Sequence, residues 1–182
     1  CVGVPGSGGG TGTDRRVLLT ARALEMKRIF NALMEPDGIK IHRNVHMGIA
    51  IALEDGLVVP VVRDANKKRL REISAEIRDL AARARENRLT ETDFAGGTFT
   101  LTNLGGYRST EHFTPVINPP QAAILGVGRT RAVPVAVDGE VRIRPMMARS
   151  LAHVHRIVDG APAAEFLGIL MRMIEAPSRA LY

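Results

Sequence analysis

Tryptophan is absent from this chain of 182 residues, tyrosine occurs twice and phenylalanine five times. A protein that stacks single-stranded nucleic acid on aromatic platforms has little to build with here. The single cysteine, Cys1, excludes an intrachain disulfide and a CxxC metal site, so no metal is expected. No apolar run approaches the roughly 18 to 20 uncharged residues of a membrane-spanning helix, and the N-terminus lacks the basic, apolar and small-residue order of a signal peptide. These absences predict a soluble, intracellular protein with no membrane partner. Because the first residue is Cys rather than Met, the sequence reads as part of something longer.

The chain does have enough apolar residues, 45% against 24% charged, to bury a core. Its 25 Lys and Arg exceed its 19 Asp and Glu, and the net charge of +6 favours an anionic partner. A phosphorylated small molecule satisfies that charge as well as nucleic acid does, and no nucleic-acid motif supports the latter.

Residues 1–14 are rich in Gly and poor in large side chains, which predicts a flexible linker or tail ahead of one domain over 15–182. A helix is expected over 16–33, stopped by Pro36 and Gly38. Strands follow at Ile39–Ile41, Val45–Leu53 and Leu57–Val62, the last two joined by Glu54-Asp55-Gly56. Residues 70–86 place Leu70, Ile73, Ile77, Leu80 and Ala84 on one face of a helix, and Thr90 to Asp93 has the spacing of a capping box. Further strands are expected at Thr98–Asn103, Ala122–Val127, Ala132–Val137, Val141–Arg144 and Met146–Ala152, before a helix over about Ala161–Glu175. Strands outnumber helices, so the fold class is α/β, a mixed β-sheet covered by helices.

Three segments carry chemistry. His155-Arg156-Ile157-Val158-Asp159-Gly160 sets a histidine after an apolar strand and four residues before Asp-Gly, and imidazole is the side chain suited to proton abstraction near neutral pH. Taken alone, a loop histidine paired with a carboxylate is the plainer reading. Gly96-Gly97-Thr98-Phe99-Thr100-Leu101-Thr102-Asn103 is a hydroxyl-rich strand in which Thr102 by itself reads as an ordinary β-branched residue. Asn118-Pro119-Pro120-Gln121 leads into the apolar run from Ala122. His42, His46 and His112 lie outside these segments. Lys67, Lys68, Arg69, Arg71, Arg78, Arg83, Arg85 and Arg88 form a basic face, read as solvated or as a contact for phosphates.

Together, and in this order, these segments resemble the catalytic domain of the dihydrolipoyl acyltransferases, core components of the 2-oxo acid dehydrogenase complexes, over roughly residues 31–175. The resemblance implies a fold like chloramphenicol acetyltransferase, with the part before Asn31 truncated or divergent. It implies acyl transfer between dihydrolipoyl sulfur, carried on a separate lipoyl domain, and coenzyme A, without a metal. His155 falls on the general base, Thr102 on the hydroxyl that stabilises the oxyanion, and Asp159 on the residue that orients the loop. The implied partners are two further copies in a homotrimer, a larger core assembly, lipoyl domains, and the 2-oxo acid decarboxylase and dihydrolipoyl dehydrogenase components. The implied location is the cytoplasm, or the mitochondrial matrix in a eukaryote. The chain departs from the family pattern in placing His153 and Val154 where an aromatic residue and Asp usually precede the histidine. A structural core subunit without catalysis is the alternative.

Overall fold

A computed structural model describes residues 12–54 and 56–177. The first helix, α1 (Gly12–Met26), starts inside the segment expected to be a linker. Asp14 is buried and the Asn103 side chain donates to Thr13 Oγ1 at 2.9 Å, so residues 12–14 have tertiary partners that a tail lacks. Residues 1–11 of that expected linker lie outside the described residues.

The helix also ends earlier than its pattern suggests. A single 3-10 turn at Arg28–Phe30 follows it, and Ala32–Glu35 (β1) pairs antiparallel with Gly38–Ile41 (β2). Asn31 makes the break: its side-chain amide turns inward and donates to the carbonyls of His42 and Asn44, both at 2.9 Å. Pro36 and Gly38 therefore form a hairpin turn rather than a helix stop, with Gly38 at φ 140°.

Five strands form the main sheet in the order β6-β3-β7-β8-β9, where β3 is Met47–Ile49, β6 Val61–Val62, β7 Phe99–Asn103, β8 Ala123–Val137 and β9 Glu140–His153. β3, β7 and β8 run parallel, while β6 and β9 run against them, which makes the sheet mixed. Each of the two strands expected between Val45 and Val62 divides. Ile51–Leu53 (β4) and Gly56–Val58 (β5) leave the sheet as a separate hairpin, hinged at Ala50 and at Pro60. Conversely, the four strands expected between Ala122 and Ala152 are two long ones, bent by a register shift between Val127 and Thr130.

The two faces of the sheet differ. On one, Phe99 and Leu101 are fully buried beneath α1 and α4 (Gly160–Glu175). Phe166 of α4 stacks on Phe30 with ring centroids 4.7 Å apart and meets Phe99 at 6.3 Å. Burial of one such ring contributes about 1.5–3 kcal/mol, so this aromatic triad is a main anchor of helix to sheet. The amphipathic α2 (Leu70–Arg85) buries Ile73, Leu80 and Ala84 and closes on a left-handed Asn87 at φ 52°. Arg88 N–H there donates to the Arg83 carbonyl at 2.8 Å and Asn87 N–H to that of Ala84 at 3.2 Å, satisfying the last carbonyls. The short α3 (Glu91–Phe94) opens with Thr90 N–H donating to the Asp93 carboxylate at 2.8 Å, the capping box expected from the spacing.

The other face carries hydroxyls and glycines, and the segment 104–122 lies across it. A Cβ on Gly128 would stand 1.9 Å from the Glu111 carbonyl oxygen, and one on Gly126 would stand 2.9 Å from the Phe113 ring. Beyond Thr130 the β8–β9 ribbon leaves the sheet, because β7 ends opposite Val127. One side of the ribbon, made by Ala132, Pro134, Ala136, Val141, Ile143 and Pro145, is apolar and exposed throughout.

Candidate active site

His155 lies just past the end of β9, in a turn fixed by backbone. Val154 N–H donates to the Ala122 carbonyl at 2.8 Å, and the N–H groups of Ile157 and Val158 both donate to the Val154 carbonyl, at 2.9 and 3.1 Å. The departure at Val154 thus leaves the loop held by main-chain bonds, which a side-chain pattern does not disclose. Asp159 is the N-cap of α4, and its Oδ1 approaches His155 Nδ1 at 3.5 Å. That contact turns Nδ1 toward the carboxylate and leaves Nε2 to face outward. Both side chains are strongly exposed, 78% for His155 and 79% for Asp159.

Thr102 belongs to a row of three hydroxyls, since alternate residues of β7 share a face. Thr98 donates to Asn31 Oδ1 and Thr100 to Gln121 Oε1, each at 2.6 Å. The Thr102 hydroxyl makes no hydrogen bond among the described residues, and the residue is only half-buried. Two hydroxyls in the row are thus structural, and the third is available to a ligand.

The structure does not bring Thr102 and His155 together within one chain. Thr102 pairs with Gly126 and Gly126 with Ser150, while His153 lies three residues further along β9, opposite Ala123. Two strand spacings across and three residues along place the backbones of Thr102 and His153 about 14 Å apart. His155 lies beyond the opposite end of the sheet from the Thr102 end of β7.

The remaining histidines have other roles or none assigned. His46 Nδ1 accepts from Asp64 N–H at 3.1 Å, and its backbone N–H donates to Thr98 Oγ1 at 3.0 Å. Burial pushes this imidazole below its ordinary pKa; Asp64 opposes the shift, while Arg63, His42 and Lys67 add to it. A neutral, half-buried ring with its acceptor nitrogen occupied is a strut. The rings of His153 and His155 are 6.0 Å apart.

Much of the basic face is neutralised internally. Arg83 grips Asp93 through two nitrogens at 2.7 and 2.9 Å and Asp79 at 2.8 Å, Lys68 pairs with Glu76, and Arg88 with Glu86. The Arg83 guanidinium holds the Asp93 carboxyl well below the usual carboxylate range. Among the described residues no three His, Cys, Asp or Glu side chains are grouped as metal ligands, and no helix is long and apolar enough to cross a membrane.

A mixed sheet with helices on one face and a histidine turn beyond its last strand defines a chloramphenicol acetyltransferase-like fold. Chloramphenicol acetyltransferase itself superposes with a TM-score of 0.54 at 17% identity, covering 88% of this chain and 76% of that one. Within that fold class the chain belongs to the 2-oxoacid dehydrogenases acyltransferase (catalytic domain) family, which matches residues 12–182. The match takes in α1 and so begins well before Asn31, where the visible resemblance starts.

The chain is 41% identical over 165 residues to the dihydrolipoyllysine-residue acetyltransferase component of the pyruvate dehydrogenase complex of Rickettsia felis. It is 42% identical over 165 residues to the succinyltransferase component of the 2-oxoglutarate dehydrogenase complex of Rickettsia bellii. Each alignment covers 91% of this chain but only 40% and 41% of the relative, so the chain spans about two fifths of these proteins. The cubic core of the pyruvate dehydrogenase multienzyme complex superposes with a TM-score of 0.89 at 34% identity, covering 94% of this chain and 71% of the other. Azotobacter vinelandii dihydrolipoamide acetyltransferase superposes with a TM-score of 0.90 at the same identity and coverage; a serine, a histidine and, four positions on, an asparagine were examined there for roles in catalysis.

Proposed function

We propose that this chain transfers an acyl group between dihydrolipoyl sulfur and coenzyme A, with His155 as general base, Thr102 as oxyanion donor and Asp159 as the positioning residue for the imidazole. The observation that carries the roles is the contrast along β7: Thr98 and Thr100 spend their hydroxyls inside the chain, whereas Thr102 does not. Family membership carries the reaction class. On this reading Thr102 and Asp159 are the counterparts of the serine and asparagine examined in the Azotobacter enzyme, supported by the matching four-residue step from the histidine and by the hydroxyl that Thr shares with Ser.

In the forward direction His155 Nε2 takes the proton of the coenzyme A thiol, and the thiolate attacks the thioester carbonyl. The oxyanion accepts a hydrogen bond from Thr102. Collapse breaks the bond from carbon to lipoyl sulfur, and the imidazolium returns its proton to that sulfur. Lipoyl domains deliver the donor, and the decarboxylase and dihydrolipoyl dehydrogenase components complete the cycle.

On this reading a histidine from one copy meets a threonine from another, which the backbone separation of about 14 Å between Thr102 and His153 within one chain supports. A homotrimer does this, and the exposed apolar side of the ribbon is the surface that has most to gain from a second copy. The direct test is transfer from an acyl-dihydrolipoamide to coenzyme A by a species sized by light scattering at micromolar concentration. The parent is expected to be a trimer or a multiple of one, and active. Val141→Asp with Ile143→Asp is expected to yield a folded monomer without transfer, since both residues are largely exposed in the single chain, at 79% and 74%. A parent that stays monomeric over a wide concentration range overturns the shared site, and an inactive trimer leaves a structural subunit.

A further inference from the structure

We propose that a small cleft on the hydroxyl face of the sheet, beside Gln121, receives the far end of the acyl chain and selects a short dicarboxylic acyl group; this rests on the acyl-transfer reading above. The cleft is walled by Val59, Val61, Pro119 and Pro120 and floored by Gly48 and Gly97. Its volume is about 140 Å³, several times what one water needs and far below what a nucleotide requires. Only a short chain fits.

Gln121 and Asn118 bring the polar side chains of its lining. Gln121 is 4% exposed, and its Oε1 is taken by the Thr100 hydroxyl at 2.6 Å. Nε2 lies over Gly97, where a Cβ would stand only 3.0 Å away, and no hydrogen bond from it occurs among the described residues. An amide donor without a protein partner, beside a glycine-floored space, is available to an acceptor that enters. The floor is bare for the same reason: a Cβ on Gly48 would stand 2.9 Å from Val59 and 3.0 Å from the Thr100 hydroxyl.

The acceptor is best met by a carboxylate. No acidic side chain lines the cleft, and Gly96 at its edge lies beside Arg63, whose Nη1 would be 3.6 Å from a Cβ there. Arg63 is itself positioned through Nη2, which donates to the carbonyls of Thr92 and Ala95 at 2.5 and 3.0 Å. An amide donor within and a guanidinium at the edge form a site for an anion. It is in register with the reaction, because Thr100 precedes Thr102 by two residues on one face, about 7 Å along the strand. In this proposal a short dicarboxylic acyl chain lies along that face, with its thioester oxygen on Thr102 and its carboxylate directed toward Gln121.

The test compares succinyl-, acetyl- and isobutyryl-dihydrolipoamide as donors to the assembled parent, Gly97→Ala and Gln121→Met. The parent is expected to favour succinyl at least tenfold in kcat/KM. Each variant is expected to lose about tenfold on succinyl while changing by less than about twofold on acetyl, as loss of one hydrogen bond to a charged group predicts. Gly97→Ala fills the cleft without removing Gln121, so it stands if Gln121→Met fails to fold. A parent that prefers acetyl or isobutyryl, or variants that lose all donors equally, overturns the proposal. No transfer from any donor rejects the acyl-transfer reading instead. The cleft is then judged by titrating succinate against the isotopically labelled parent, where the Gln121 side-chain amide resonances shift and those of Gly97→Ala do not. Unmoved resonances in the parent overturn it on their own.

Discussion

Replacing His155 by alanine is expected to abolish nearly all acyl transfer to coenzyme A while leaving the fold and the assembly intact. A free thiol near neutral pH is only a few per cent thiolate, and a positioned imidazole removes that deficit at the moment of attack. Of the other histidines in the described chain, His46 has its acceptor nitrogen occupied, His42 and His112 belong to other segments, and His153 lies within β9 rather than in the turn that carries His155. The cost to stability is small because the side chain is 78% exposed in the single subunit, where substitutions usually stay within about 0.5 kcal/mol. Initial rates for parent and variant, with circular dichroism for folding, check this. A folded variant that keeps more than about a tenth of the parent rate places the base elsewhere.

Thr102→Val is expected to lower kcat about a hundredfold with little change in the Michaelis constant for coenzyme A. The hydroxyl meets charge that exists only in the transition state, so its loss raises the barrier without weakening ground-state binding. Valine keeps the β-branched shape that suits the strand, and Thr102→Ser, which keeps the donor, is expected to retain activity. Thr100→Val separates this effect from packing: it removes a hydroxyl that is buried and bonded to Gln121, so it is expected to cost stability while leaving transfer from an acetyl donor nearly unchanged. Full turnover in Thr102→Val removes the oxyanion role.

The sequence disclosed most about segments whose grammar is local. The apolar stripe of α2, the box from Thr90 to Asp93 and the Asp-Gly before α4 each specify their element within a few residues. It disclosed least where distant partners decide. Nothing near Asn31 announces that its amide will bond the carbonyls of His42 and Asn44 and end a helix early. Pro145 falls between two expected strands, yet it lies inside β9, in a ribbon with a single neighbouring strand, where a missing N–H is tolerated. Thr102 became distinguishable from Thr98 and Thr100 only when the hydrogen-bond partners of all three were known. The role proposed for Gln121 is not legible in the sequence, because it depends on Gly97, 24 positions earlier in the chain.

Under the proposed shared site, with Thr102 and His155 apart along one sheet, the two halves of the machinery are inherited on the same chain but exercised on different ones. Two defective alleles should therefore rescue each other. A His155→Ala chain still offers Thr102, and a Thr102→Val chain still offers His155, so every ring containing both kinds restores one complete pair. Refolding the two inactive chains together in equal amounts recovers roughly a quarter of the parental sites in a randomly mixed population of trimers, whereas a chain carrying both changes rescues neither.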